Sequence, residues 1–116
     1  MKNDQRKFPR YLLTSSTLAI ISPNSIMPYQ LIDISKNGLA FSYMGKEEWP
    51  DNLLELEIIE SENFYIDKLP IRVVADSPLD EGFSSLRRCG VQFGELTPTQ
   101  ESQLEYFIQR FTIGLA

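Results

Sequence analysis

Histidine is absent from the 116 residues, and cysteine occurs once, at Cys89. The first absence removes Ser-His-Asp and Cys-His nucleophile pairs, histidine general bases and histidine metal ligands together. The second excludes an internal disulfide. No run approaches the ~20 apolar residues that a membrane-spanning helix needs, so no membrane insertion is expected. The basic start, Met1-Lys2-Asn3-Asp4-Gln5-Arg6-Lys7, is not followed closely by an apolar stretch of the secretory kind. A reducing cytoplasm is the expected location. Repeats, low-complexity tracts and linker-like shifts in composition are missing as well. What is there suits one domain: 42% hydrophobic and 23% charged residues fold rather than stay disordered. A chain of this length buries roughly two-thirds of its extended surface, enough for a core without metal or disulfide staples.

Charge is unevenly placed. The net formal charge is -5 and the pI about 4.7, which makes a poor generic binder of nucleic acid, because that affinity rests on neutralising phosphates. Neither DNA nor RNA is therefore an expected partner. Residues 1–11, however, hold Lys2, Arg6, Lys7 and Arg10 against the single acid Asp4, a net +3, which leaves -8 for the rest. A small cationic arm thus precedes an acidic body. A solvated tail is one reading of it. A local anion clamp, sized for a compact phosphate ligand and not for a duplex, is the other.

Short β-type runs follow, separated by turn residues. Thr14–Ser22 ends at Ser22-Pro23-Asn24-Ser25. Tyr29–Ser35 leads into Asn37-Gly38, where tolerance of positive φ predicts a type I′ hairpin turn, and Leu39–Tyr43 returns. With that turn, Ile34 would face Phe41 and Ile32 would face Tyr43. Leu54, Leu56 and Ile58 alternate with Glu55 and Glu57, the pattern of a half-buried strand. Ile71, Val73 and Ala75 form another, beginning after Pro70. Cys89, Val91 and Phe93 form the last. The period then changes. Thr97 as N-cap, Pro98 at the first helical position and Gln100 as the partner in a capping box open a helix. Leu104, Phe107, Ile108 and Phe111 make its apolar stripe. About six strands and one helix predict an antiparallel barrel or sandwich with the helix covering an open end or face. Trp49, before Pro50, reads as a partly buried plug.

Two motifs carry chemistry. Arg6-Lys7-Phe8-Pro9-Arg10 is R-x-x-x-R. Arginine offers a planar fork of donors that suits phosphate oxygens and the guanine O6/N7 edge, and Pro9 stiffens the arm. Asp33-Ile34-Ser35-Lys36-Asn37-Gly38 is D-x-S-x-x-G. On a hairpin it places Asp33, Ser35, Ala40 and Ser42 on one small polar face. An ordinary solvent-facing hairpin would look the same. A flat base fits such a face, with the Asp33 carboxylate accepting N–H groups of guanine and Ser35 adding a hydrogen bond.

Taken together, R-x-x-x-R before the first strand, D-x-S-x-x-G across the second and third, and Arg88-Cys89-Gly90-Val91-Gln92-Phe93 before the capped helix resemble the PilZ domain family. The likeness runs from about Arg6 to Phe111. It implies an all-β fold with one C-terminal helix, a six-stranded antiparallel β-barrel of the PilZ type. One domain would fill 1–116, with a flexible basic arm over 1–11, the barrel over 12–95 and the helix over 97–112. It also implies a receptor for the second messenger cyclic di-GMP, with no cofactor and no metal. Arg6 and Arg10 would hold phosphates and a guanine; Asp33, Ser35 and Gly38 would receive the guanine on the barrel's outer face. Many members carry an additional arginine where this chain has Gln5, a difference that bears on whether one ligand or an intercalated pair binds. The resemblance points to a non-catalytic monomer or weak homodimer that signals to an effector protein by ordering its arm.

Rival readings are a ligand-independent protein adaptor and an oligonucleotide-binding barrel; the acidic body argues against the latter. Glu47, Glu48, Asp51, Glu55, Glu57, Glu60 and Glu62 suit solvated positions rather than acid/base catalysis. Cys89 reads as a small core residue rather than a nucleophile. Arg87 and Arg88 could extend the ligand site, but a solvent-facing or structural ion-pair role is the preferred reading.

Overall fold

A computed structural model describes residues 9–13, 17–22, 29–45, 49, 53–61, 64–79 and 85–115. The strands are β1 (Tyr11–Leu13), β2 (Leu18–Ser22), β3 (Tyr29–Ile34), β4 (Gly38–Met44), β5 (Leu54–Ser61), β6 (Phe64–Pro78) and β7 (Leu86–Phe93). Helix α1 (Pro98–Phe111) and strand β8 (Thr112–Leu115) complete the described chain. The sheet runs β2-β5-β6-β7-β4-β3, and β3 pairs back onto β2. Six antiparallel strands therefore close a barrel, as the sequence predicts. β1 and then β8 continue from β3.

Strand β3 is shared along one edge. Tyr29 and Gln30 pair with Ala19 and Leu18 of β2, while Asp33 and Ile34 pair with Leu12 and Tyr11 of β1. The chain directly after the arm is thereby bonded to the strand that carries Asp33.

Alternation places the core. Leu54, Leu56 and Ile58 are buried, as are Ile71, Cys89 and Val91. Leu104 and Phe107 of α1 enter the same cluster, and Phe64 stacks on Phe107 with centroids 5.8 Å apart. The helix starts as its cap dictates. Thr97 Oγ1 accepts from Gln100 N at 3.1 Å, and Gln100 Oε1 accepts from Thr97 N at 3.0 Å. Trp49 is half-buried against the core, edge-on to Tyr43 at 5.5 Å. No helix among the described residues is long and apolar enough to cross a membrane.

Several expectations need correction. The β3–β4 turn is not type I′, since neither Asn37 nor Gly38 has positive φ. It closes one residue earlier, around Lys36-Asn37, where Ser35 N donates to Gly38 O at 2.8 Å. The register moves with it. Ile34 faces Leu39 and Asp33 faces Ala40, and an irregularity between Leu31 and Asp33 then sets Leu31 against Phe41. That extra residue changes the phase of the strand. Leu31 enters the core, and Ile32 is left half-buried outside it. Strand β6 begins at Phe64 and runs through Pro70, whose carbonyl accepts from Gly94 N at 2.8 Å. Pro70 lies opposite Glu55 and just ahead of the β6–β7 pairing that begins at Ile71, and proline is tolerated at such an end. Thr14, Ser15 and Ser16 of the first expected strand lie outside the described residues.

Candidate functional site

The row of residues that crosses the sheet at Asp33 is built for access. Leu12, Asp33, Ala40, Gly90 and Ala75 lie opposite one another on β1, β3, β4, β7 and β6. Three of these five carry a methyl group or no side chain at all. They leave a shelf over which a longer side chain can reach. Two residues along, on the same face, Ser42 lies opposite Arg88.

Three charged groups meet on this shelf. Residues two apart on an extended chain project to the same side, so Arg10 returns to the face on which Leu12 meets Asp33. Arg10 Nη1 stands 3.9 Å from Asp33 Oδ1. From the other direction Arg88 reaches across β4, two inter-strand spacings or about 10 Å, and its Nη2 donates to Asp33 Oδ2 at 2.8 Å. The side chain of Asp33 is 6% exposed, that of Arg10 31% and that of Arg88 28%. Asp33 Oδ1 is buried and accepts no hydrogen bond among the described residues. The Arg88 contact is a charge-assisted hydrogen bond, whereas that of Arg10 is an ion-pair approach without one.

Ser35 and Gly38 take their places through the turn. Ser35 is 1% exposed. Its hydroxyl donates to Asn37 Oδ1 at 2.7 Å and accepts from Asn37 N at 3.3 Å, so it shapes the loop that follows Asp33. Asn37 O accepts from Phe93 N at 2.9 Å and ties the turn to β7. Gly38 is buried against that same strand. Arg10, Asp33, Ser35 and Gly38 thus lie at the ends of three adjoining strands. Arg6 lies outside the described residues.

For Arg88, sequence reasoning preferred a solvent-facing or ion-pair role over a part in the ligand site. It does form an ion pair, but its partner is the motif carboxylate, 55 residues away in sequence. The signal lay in the position of Arg88 two residues before Gly90, on the same face as the shelf. Arg87 points elsewhere. Its Nε donates to Asp76 Oδ1 at 3.0 Å, and Asp76 Oδ2 accepts from Tyr43 Oη at 2.6 Å and from Trp49 Nε1 at 3.2 Å. Burial raises the Tyr43 pKa, and the Asp76 hydrogen bond adds to it; the same carboxylate raises that of Arg87. Cys89, fully buried, is pushed up to about 12 by desolvation. It is a core thiol.

A groove of about 510 Å3 between the β3–β4 turn and α1 is lined by Lys36, Leu96, Glu101 and Glu105 among others. It contains none of Arg10, Asp33 and Arg88. The motif residues instead form a shallow, cation-rich face on the barrel wall. Such a face suits a flat, anionic ligand better than a small apolar one.

A closed six-stranded barrel with a capped C-terminal helix and a paired arginine–aspartate face defines the class. The PilZ domain family model matches residues 4–110, and the chain belongs to that family. Solved structures agree in fold. The MrkH–c-di-GMP complex of K. pneumonia aligns with a TM-score of 0.73 at 17% identity, over 92% of this chain and 52% of that one. The Bacillus subtilis inhibitor of motility, MotI/DgrA, aligns at 0.70 and 16%, over 95% of this chain and 52% of that one. The PilZ domain of YcgR from Escherichia coli, with c-di-GMP, aligns at 0.70 and 17%, over 91% of this chain and 90% of that one. The chain therefore spans about half the length of the MrkH and MotI chains. No curated protein matches the sequence.

Proposed function

We propose that this domain is a non-catalytic cytoplasmic receptor for cyclic di-GMP. The observation that carries the reading is the 3.9 Å approach of Arg10 to Asp33. It brings the second arginine of R-x-x-x-R beside the carboxylate of D-x-S-x-x-G, far apart in sequence, on one face. A ligand with two phosphates and two guanines meets both needs: anionic oxygens for the arginines and N–H donors for Asp33. Solved structures of MrkH and YcgR with c-di-GMP share this fold, which supports the choice of ligand. Arg6 supplies the second motif guanidinium, and Ser35 and Gly38 keep the loop after Asp33 clear for a base. Binding bridges arm and barrel, and the ordered arm with the ligand's outer face presents a changed surface to an effector protein. The charge-assisted bonds to the ligand offset the cost of that ordering.

Isothermal titration calorimetry with cyclic di-GMP tests this. Saturable binding is expected, weakened about ten- to a hundredfold by Arg6→Ala or Arg10→Ala, since such charged bonds are worth roughly 1.5–3 kcal/mol each. Asp33→Ala weakens it as well. Absence of heat at high ligand concentration overturns the receptor reading in favour of a ligand-independent adaptor. Hydrogen exchange over residues 5–12 tests the switching step; protection unchanged at saturation removes it.

A further inference from the structure

We infer that Arg88 sets the affinity of this site by competing with the ligand for Asp33. The inference rests on the receptor reading above. The carboxylate a guanine requires is nearly covered, with its side chain 6% exposed. Two guanidiniums contact it among the described residues, and they differ in origin. Arg10 belongs to the arm and directly precedes β1. Arg88 is anchored in the middle of the barrel wall, paired with Ser42 on one side and Ser77 on the other.

The geometry makes Arg88 a stand-in for a base. A guanidinium is a flat group presenting parallel N–H donors to a carboxylate, and the N1–H and amino edge of guanine does the same. Arg88 reaches Asp33 by lying along the Ala40–Gly90 shelf. A Cβ built on Gly90 would meet Arg88 Nη1 at 4.0 Å. The surface free of bulky side chains is thus already occupied by a planar cation. Of the two carboxylate oxygens, Oδ2 holds the 2.8 Å bond from Arg88, and Oδ1 accepts no hydrogen bond among the described residues. A guanine that donates through two N–H groups across the carboxylate must lie where the Arg88 guanidinium lies, over Gly90 and against Oδ2. The two planar groups cannot share that space, so the base displaces Arg88.

Binding on this view exchanges one charge-assisted bond for others, and the observed affinity is reduced by whatever the Arg88–Asp33 contact is worth. A fully desolvated bond of that kind corresponds to about ten- to a hundredfold in an equilibrium. Partial exposure of Arg88 lowers this, so removal of the competitor is expected to tighten binding by about three- to tenfold. A residue with a merely structural role would lower stability and leave affinity unchanged or worse.

The test is calorimetric titration of the wild type, Arg88→Gln and Arg88→Lys with cyclic di-GMP, each variant checked for folding by circular dichroism. Arg88→Gln is expected to bind about three- to tenfold more tightly and to melt lower without ligand. Arg88→Lys, which keeps the charge and loses the planar fork, is expected to shift affinity in the same direction by less. It decides the matter if the glutamine variant does not fold. Affinity unchanged or weakened in a folded variant, with the wild type still binding, overturns the competition and leaves the receptor reading intact. No heat from the wild type or either variant overturns both.

Discussion

The Cα of Gly38 lies so close to the backbone of β7 that a Cβ built on it would stand 2.2 Å from the carbonyl oxygen of Val91. Glycine is required here by contact and not by conformation, because φ at this position is not positive. The close approach lets the turn after Asp33 sit flat on β7, where Asn37 O accepts from Phe93 N.

Gly38→Ala is therefore expected to cost about 1–3 kcal/mol, the range for forcing extra atoms into a packed site. Gly38→Asn should cost at least as much, although asparagine tolerates left-handed backbone. Urea unfolding midpoints check this. An asparagine variant as stable as the wild type would mean that the turn is conformational after all.

Lys68 is the non-glycine residue with positive φ among those described, at 57°. It lies where the β5–β6 register shifts between Leu56 and Ile58. Gln100 Nε2 donates to Asp67 O at 3.2 Å and to Lys68 O at 3.0 Å, so the helix cap also holds this bulge. A side chain in the left-handed region costs roughly 1–2 kcal/mol, partly offset by the entropy of a glycine. Lys68→Gly is expected to stabilise by about 0.5–1 kcal/mol, and Lys68→Ala to give no such gain. Gln100→Ala should cost about 1 kcal/mol through the capping box alone. Chemical denaturation of the three variants reads each effect.

Asp76 accepts from Tyr43, Trp49 and Arg87. Its loss strands three donors at once. Asp76→Ala is expected to destabilise the fold by about 1–3 kcal/mol. Trp49 is the chain's single tryptophan, so its emission reports this corner directly and should shift to the red. Affinity for cyclic di-GMP should stay as in the wild type, because none of these four residues contacts Arg10 or Asp33.

Alkaline pH should weaken the fold through Cys89 and Tyr43. The thiol is raised from 9.0 to about 12, and the Tyr43 phenol is raised above 10.0. Between those values the native state holds protons that the unfolded chain has released. Stability is therefore complete below about pH 9 and falls as pH rises towards 12, by at most about 1.4 kcal/mol per pH unit for each such group. Denaturation series at pH 8, 9, 10 and 11 give the slope. Cys89→Ala should be less stable at neutral pH yet show a shallower decline above pH 9.

The parts of this protein legible from its residues are those whose physics is local. Leu54, Leu56 and Ile58 reveal a strand because side chains alternate faces within a few residues. Thr97, Pro98 and Gln100 reveal a helix start because the cap closes over one turn. R-x-x-x-R and D-x-S-x-x-G name the family because each is a contiguous spacing. Tertiary structure decided the rest. The phase of β3 turned on one irregularity at Ile32, and no local pattern distinguishes that from an unbroken strand. β8 carries only Thr112, Ile113, Gly114 and Leu115 after a helix end; it is a strand because β1 lies alongside to pair with it. Above all, the contact between Arg88 and Asp33 follows from barrel order. β4 lies between their strands, Ala40 and Gly90 leave room above it, and closure brings together charges that the linear chain keeps apart.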